Sequence, residues 1–300
     1  MVGMHNQYRT LKRINVSEVS SPVASILLRV RNEGRHLPGL IATLRQQSIY
    51  RNVEVVVLDS GSTDDTINLA LGEGWTIYQI EQSEFSFGDS CNLICSLARA
   101  DIMFFFSGHV RLLDCQLLQE AVDLMRGGCC KAGYFRQVPN DIAGHSAYDR
   151  AFLRRRFPVK PLALLSRDKS SFSNAASVIT RSAWREVSFP SVIASEDVLW
   201  LKLALSDTDR VAYFGSLAVG HSHDETPGQI SKRVAINMAA QNRRFLRVKS
   251  LGAFLGVFYF TFRESKNFRE SVLYGAAHSY GYWLGAKMRR KNGRLELPSL

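Results

Sequence analysis

Val53-Glu-Val-Val-Val-Leu-Asp59, followed at once by Ser60-Gly-Ser-Thr-Asp-Asp65, decides the fold class. A β-branched run that ends in an acid and passes into turn and capping residues reads as a buried strand with a helix starting near Thr66. Upstream, Ser25-Ile-Leu-Leu-Arg-Val-Arg31 is another short apolar run ending in charge, and between the two Leu37, Leu40, Ile41 and Leu44 recur at helical spacing. The order is β-α-β. Downstream the pattern predicts a helix over 66–71, a strand over 75–80, a helix near 89–98 and the strand Asp101-Ile-Met-Phe-Phe-Phe-Ser107. Strands alternating with helices imply an α/β fold with a doubly wound, mostly parallel sheet, whose ligands bind at the carboxyl ends of the strands. Arg29, Arg31 and Asn32, then Asp59 and Ser60, then Ser107, Gly108 and His109 should therefore line one crevice. The first strand is not followed by GxGxxG, so a dinucleotide-dependent dehydrogenase is not expected.

The chain has 300 residues, 46% hydrophobic and 22% charged, which fits one large domain with or without an appendage and excludes a disordered chain. Its net charge of +11 is not spread evenly. Residues 1–230 hold 24 basic and 24 acidic side chains, whereas residues 231–300 hold 14 and 3, so the whole excess lies in the last 70. A neutral body with a basic end suggests docking on an anionic surface. The five cysteines (Cys91, Cys95, Cys115, Cys129, Cys130) lack a paired CxxC rhythm and read as reduced thiols. Met1 to Ser21 is largely polar and carries no export-type segment, so a cytoplasmic location is expected.

Between Lys131 and Ser171 the pattern loosens into an insertion whose Arg154-Arg-Arg-Phe-Pro158 is either a solvated face or a lid on the acceptor side. Order returns with Phe172–Thr180, a helix over 196–205 and a strand over 211–223. The expected organisation is a polar arm (1–24), a catalytic domain (25–226, with a donor half of about 25–112 and an acceptor half of about 113–226) and a basic, aromatic helical extension (227–300).

Three segments carry a resemblance: Arg31-Asn32-Glu33, Val55-Val-Val-Leu-Asp-Ser-Gly-Ser-Thr-Asp64 and Ser195-Glu-Asp-Val-Leu-Trp200. In that order they resemble the family 2 glycosyltransferases, which have the GT-A fold. Phe172-Ser-Asn-Ala-Ala, Trp184, Phe189-Pro190, Glu196-Asp197 and His221-Ser-His223 are similar to bacterial rhamnosyltransferase-like members that build surface polysaccharide. The resemblance implies a nucleoside-diphosphate sugar donor and a glycan or lipid-linked acceptor. A donor pocket needs acceptors for base and ribose and cations for the phosphates. Asp59 and Ser60 suit the first task, with Arg29, Arg31 and Asn32 beside them, although Asp59 could instead close the turn before the next helix.

The resemblance assigns the base role to Asp197, with Glu196 orienting or binding the acceptor, and gives Asn174 and Trp200 to the acceptor side. Both acids could also simply complement the helix dipole. Ser107-Gly108-His109 stands where the family usually has Asp-X-Asp. Because imidazole ligates Mn²⁺ and later ions better than Mg²⁺, His109, with His221 or His223, implies a divalent metal with Mn²⁺ favoured, or a direct diphosphate contact. Asp89, Ser90 and Cys91 replace the Arg usual before Asn92. Asn92 and Arg136 complete the donor-side candidates.

In the tail, Lys232, Arg233, Arg243, Arg244, Arg247 and Lys249 precede the uncharged run Leu251–Phe262, and an aromatic segment, Val272–Ala286, leads into Lys287, Arg289, Arg290 and Lys291. Twelve residues reach ~18 Å as a helix, too short to span a ~30 Å hydrocarbon layer. Both segments are expected either as interfacial helices on an anionic membrane, from which a chain ending near Lys249 would detach while staying folded, or as helices packed on the catalytic domain. Nucleic acid is not an expected partner, because the basic end carries no recognised nucleic-acid motif. The alternatives to glycan transfer are transfer onto a polyprenyl phosphate, and a silent sugar-nucleotide or membrane-binding subunit.

Overall fold

The computed structural model describes residues 8, 10–140, 146–192, 194–221, 225–241, 247–291 and 294–296. It divides into two compact units: residues 1–140, 159–191 and 196–221, and residues 141–158, 192–195 and 222–300.

The first unit is built on one mixed sheet. In chain order its elements are β1 (Lys12–Asn15), β2 (Ala24–Val30), α1 (Leu37–Arg45), β3 (Val53–Asp59), α2 (Thr66–Gly72), β4 (Thr76–Gln79), α3 (Phe87–Leu97), β5 (Ile102–Ser107), β6 (Arg111–Leu112), α4 (Leu117–Arg126) and β7 (Ala132–Val138). After α5 (Ala147–Arg156), which belongs to the other unit, follow β8 (Ala163–Leu165), β9 (Ala176–Thr180), α6 (Arg181–Glu186), α7 (Glu196–Ala204) and β10 (Val211–Gly220). Among the described residues the strand order is β1-β4-β3-β2-β5-β9-β7-β10-β6, with β8 on β10.

The four strands β4, β3, β2 and β5 are parallel, as the β-α-β reading requires. Beyond them β9 runs antiparallel between β5 and β7, and β10 returns parallel to β7. A local apolar pattern identifies such strands but not the direction of their partners. The N-terminal arm also contributes structure, because β1 pairs antiparallel with β4 and Tyr8 is buried.

All seven residues of β3 are buried, Glu54 among them. A carboxylate there must be satisfied internally, and Glu54 accepts hydrogen bonds from Ser25 Oγ at 2.6 Å, Arg99 N at 2.5 Å and Arg99 Nε at 2.6 Å. Arg181 does similar work at the end of α3. Its guanidinium donates to the carbonyls of Cys95 in the last turn, Ala98 at the C-cap and Ala100 just beyond, acceptors that the helix leaves orphaned.

The second unit holds α5, α8 (Pro227–Ala240), α9 (Arg247–Ser265), α10 (Phe268–Lys287) and the short antiparallel pair β11 (Arg289–Lys291) and β12 (Arg294–Glu296). Gly281 and Gly285 let α10 approach α8 closely: a Cβ at either position would lie 2.6–2.7 Å from the backbone oxygens of Ser231 and Ala235. The segment carrying Arg154-Arg155-Arg156 thus groups with the tail helices rather than with the catalytic domain of the sequence reading. All three arginines are exposed, with Arg154 paired to Glu264 at 3.0 Å. Among the described residues no helix is long and apolar enough to cross a membrane.

Candidate active site

The carboxyl edge of the sheet gathers the candidate residues. Parallel register sets Val30 beside Asp59 and Arg29 beside Ser107, so the β2, β3 and β5 ends are level. The turns that follow are knitted together. Asn32, at φ 53°, donates its N–H to Ser62 Oγ at 2.9 Å, and its side-chain oxygen accepts from Thr63 N at 2.8 Å. Glu33 N donates to Thr66 Oγ1 at 2.8 Å. Asp59 is fully buried and accepts from Gly61 N, Ser62 N, Ser62 Oγ and Gln79 Nε2. The turn-closing role is therefore the one its contacts show. Ser60 is buried and its hydroxyl donates to Val30 O at 3.3 Å. Arg31 stays exposed at the rim.

The adjacent acids of α7 have different environments. Glu196 is buried and its Oε1 pairs with Arg29 Nη2 at 3.0 Å. Arg29 also donates to Phe87 O at 2.7 Å and lies 5.7 Å from the Phe87 ring centre. Burial opposes the guanidinium charge, but the neighbouring Cys91 thiol and Glu196 carboxylate outweigh it and raise the Arg29 pKa. The same surroundings push the Cys91 thiol far up, chiefly through burial, so it is no nucleophile. Asp197 is partly exposed. Its Oδ2 accepts from Asn174 N at 3.1 Å and its Oδ1 from Val198 N at 2.7 Å.

Antiparallel β6 returns His109 toward the end of β10, because Arg111 pairs with Gly220. The rings of His109 and His221 stack, with centroids 5.0 Å apart and planes 20° from parallel. His109 Nδ1 lies 3.2 Å from Glu33 Oε1, and His221 Nδ1 lies 2.9 Å from Gln137 Oε1. Gly108 is required there, since a Cβ would lie 2.8 Å from Glu33 Cγ. Glu33 and Gln137 are the functional neighbours that sequence reasoning missed. Their partners are 76 and 84 residues away, and only the glycine between Ser107 and His109 hints at a close approach.

Among the described residues no group of three or more His, Cys, Asp or Glu is placed to hold a metal ion. The two stacked imidazoles supply nitrogens of the type that suits one. Each turns Nδ1 to an oxygen acceptor, the arrangement that presents Nε2 as the ligating nitrogen. An ion there would need ligands beyond these two imidazoles.

Other candidates sit differently from expectation. Asn92 is a structural bracket rather than a donor ligand: its side chain binds Phe189 O at 2.8 Å, Phe189 N at 2.8 Å and Trp184 Nε1 at 3.0 Å. Trp200, expected on the acceptor side, is fully buried, donates to Val187 O at 2.7 Å and stacks on Phe189 at 5.0 Å. Asn174 is buried too, and it reaches the site through its backbone N–H to Asp197. Arg136 is half-buried near the end of β7. His223 lies outside the described residues.

The family model for glycosyl transferase family 2 matches residues 25–183, more than half of the chain. The chain belongs to glycosyl transferase family 2. This glycosyltransferase is 27% identical over 222 residues to the O-antigen chain rhamnosyltransferase RfbN of Salmonella typhimurium, a match covering 70% of this chain and 69% of that protein. Its fold is GT-A, similar to S. aureus TarS 1–349 in complex with UDP (TM-score 0.55, 13% identity, 92% of this chain and 96% of that one). It is also similar to the mannosyltransferase PcManGT from Pyrobaculum calidifontis in complex with GDP-Man and Mn²⁺ (TM-score 0.56, 14% identity, 94% and 76%).

Proposed function

We propose that this glycosyltransferase moves a sugar, of the deoxyhexose or hexose class, from a nucleoside diphosphate to a hydroxyl of a glycan or lipid-linked acceptor in surface-polysaccharide synthesis. The RfbN similarity supports the polysaccharide setting. One observation carries the chemistry: of two neighbouring acids, Glu196 is buried against Arg29 while Asp197 keeps a partly exposed carboxylate aimed by two backbone N–H groups.

The reaction is a single displacement with inversion. Asp197 takes the proton of the acceptor hydroxyl as its oxygen bonds to the anomeric carbon. The bond from that carbon to the diphosphate oxygen breaks, and its electron pair leaves on the diphosphate. Arg29 holds Glu196 and keeps the start of α7 in place, while Arg31 and Arg136 are the cations near the strand ends for the diphosphate charge. His109 and His221 would hold a divalent ion, Mn²⁺ in preference to Mg²⁺, oriented by Glu33 and Gln137. When bound, the ion supplies positive charge to the leaving diphosphate. The basic, aromatic tail supports work at the cytoplasmic face of an anionic membrane, and among the described residues no helix is long and apolar enough to cross it.

The test is a turnover screen of nucleoside-diphosphate sugars with Mn²⁺ and a panel of glycan and lipid-linked acceptors, the product anomer being read by NMR. Inverted product from one donor is expected. Retained configuration would reject the single displacement, and the absence of turnover with every donor would reject the substrate class.

A further inference from the structure

The two apolar tail segments, alike in sequence, have different surroundings in the helical unit. On α10, Tyr274, Ala277, Gly281, Leu284 and Gly285 are buried against neighbouring helices, and the large apolar side chains left exposed are three, Phe268, Leu273 and Tyr280. On α9 only Ser250, Val257 and Thr261 are buried. Its large side chains Val248 (84% exposed), Leu251 (59%), Leu255 (54%), Tyr259 (58%) and Phe262 (36%) face away from that packing. Their spacing of three, four, four and three residues places them on one helix face about 21 Å long.

That is the reverse of an ordinary surface helix, whose solvent face is polar. Around the stripe stand exposed cations: Arg247, Lys249 and Arg263 on α9, then Lys266 and Arg269 just beyond. Arg263 lies 5.8 Å from the Tyr259 ring centre. The one acid of α9, Glu264, is paired with Arg150 at 3.4 Å and Arg154 at 3.0 Å, and the next carboxylate along the chain is Glu270. An apolar stripe bordered by cations fits an anionic lipid surface, with the stripe in the acyl boundary and the long basic side chains reaching the headgroups.

We infer that the Val248–Leu251–Leu255–Tyr259–Phe262 face of α9 is the membrane-inserting surface of this protein, and that α10 is its internal support. The inference rests on the proposed membrane setting and narrows it to five side chains.

The test is flotation of the full chain, without sugar nucleotide, on vesicles of phosphatidylcholine alone and of phosphatidylcholine with phosphatidylglycerol. The wild type should float with the anionic vesicles and be released by salt. A Leu255→Glu, Tyr259→Glu double variant should lose at least about tenfold in partitioning. A Lys249→Glu, Arg263→Glu variant should lose the preference for anionic lipid. Both alter exposed side chains, and circular dichroism checks their fold. Transfer to a soluble acceptor, assayed separately, should persist in all of them, so a lipid result is read independently of the sugar chemistry. If the wild type floats and the Leu255, Tyr259 variant floats equally, the face is wrong while the membrane setting stands. If no form floats, or sedimentation shows a dimer that the same variant dissociates, the stripe binds a second copy and the inference fails.

Discussion

At the scale of single residues, the replaced metal motif shows what one side chain can change. His109 occupies the last position of the usual Asp-X-Asp, and its ring is fixed by Glu33 on one side and by the stacked His221 on the other. On the proposed metal role, ligand softness would set the ion preference. Activity should be higher with Mn²⁺ than with Mg²⁺, and His109→Asp should shift the preference toward Mg²⁺. His109→Ala should lose metal-dependent turnover. Titrating each ion against initial rate checks this, and full activity in a chelator, unaltered by His109→Ala, would contradict it. His109 was legible as a strand-end residue, whereas Glu33 was not, because its role depends on packing over Gly108. Arg29 was legible as a charge interrupting an apolar strand, but its partner Glu196 is 167 residues away, and nothing local distinguishes an ion pair from a phosphate contact.

Among the elements, α5 and α10 meet at a partly buried polar contact that periodicity does not reveal. The Tyr148 hydroxyl lies 2.6 Å from His278 Nε2, and the Tyr148 ring stacks on Tyr274 at 4.6 Å. Burial, with a smaller contribution from the Arg233 charge, lowers the His278 pKa from 6.5 to about 4. A histidine held neutral in the folded chain protonates more readily when unfolded, so its contribution is complete above pH 6.5 and is lost as the pH falls toward 4. The shift corresponds to about 3 kcal/mol. Thermal midpoints followed by circular dichroism should fall across that window, and His278→Gln should flatten the fall. An unchanged profile in the variant would assign the acid sensitivity elsewhere. The parallel strands β2, β3 and β5 were legible because buried parallel strands are continuous apolar runs. The antiparallel insertion of β9, and the grouping of α5 with the tail, depend on pairing between distant segments.

For the whole molecule, the charge asymmetry read from the sequence coincides with a structural division, since residues 222–300 belong to the helical unit. A chain ending near Lys249 would strip α8 of the α10 face that packs on it through Gly281 and Gly285. The central claim is a division of labour between two adjacent acids. It is tested most directly by measuring transfer rate and donor affinity together in Asp197→Asn and Glu196→Gln. Asp197→Asn should lower the rate by roughly 10²–10⁴ while donor binding stays within a few-fold, because a base is lost from the transition state; the single amide oxygen keeps only one of the bonds from Asn174 N and Val198 N, and neither of these is a contact to the donor. Glu196→Gln, which leaves Arg29 without its charged partner, should weaken thermal stability before it weakens chemistry. Near-normal turnover by Asp197→Asn, or a larger rate loss in a folded Glu196→Gln, would contradict the assignment.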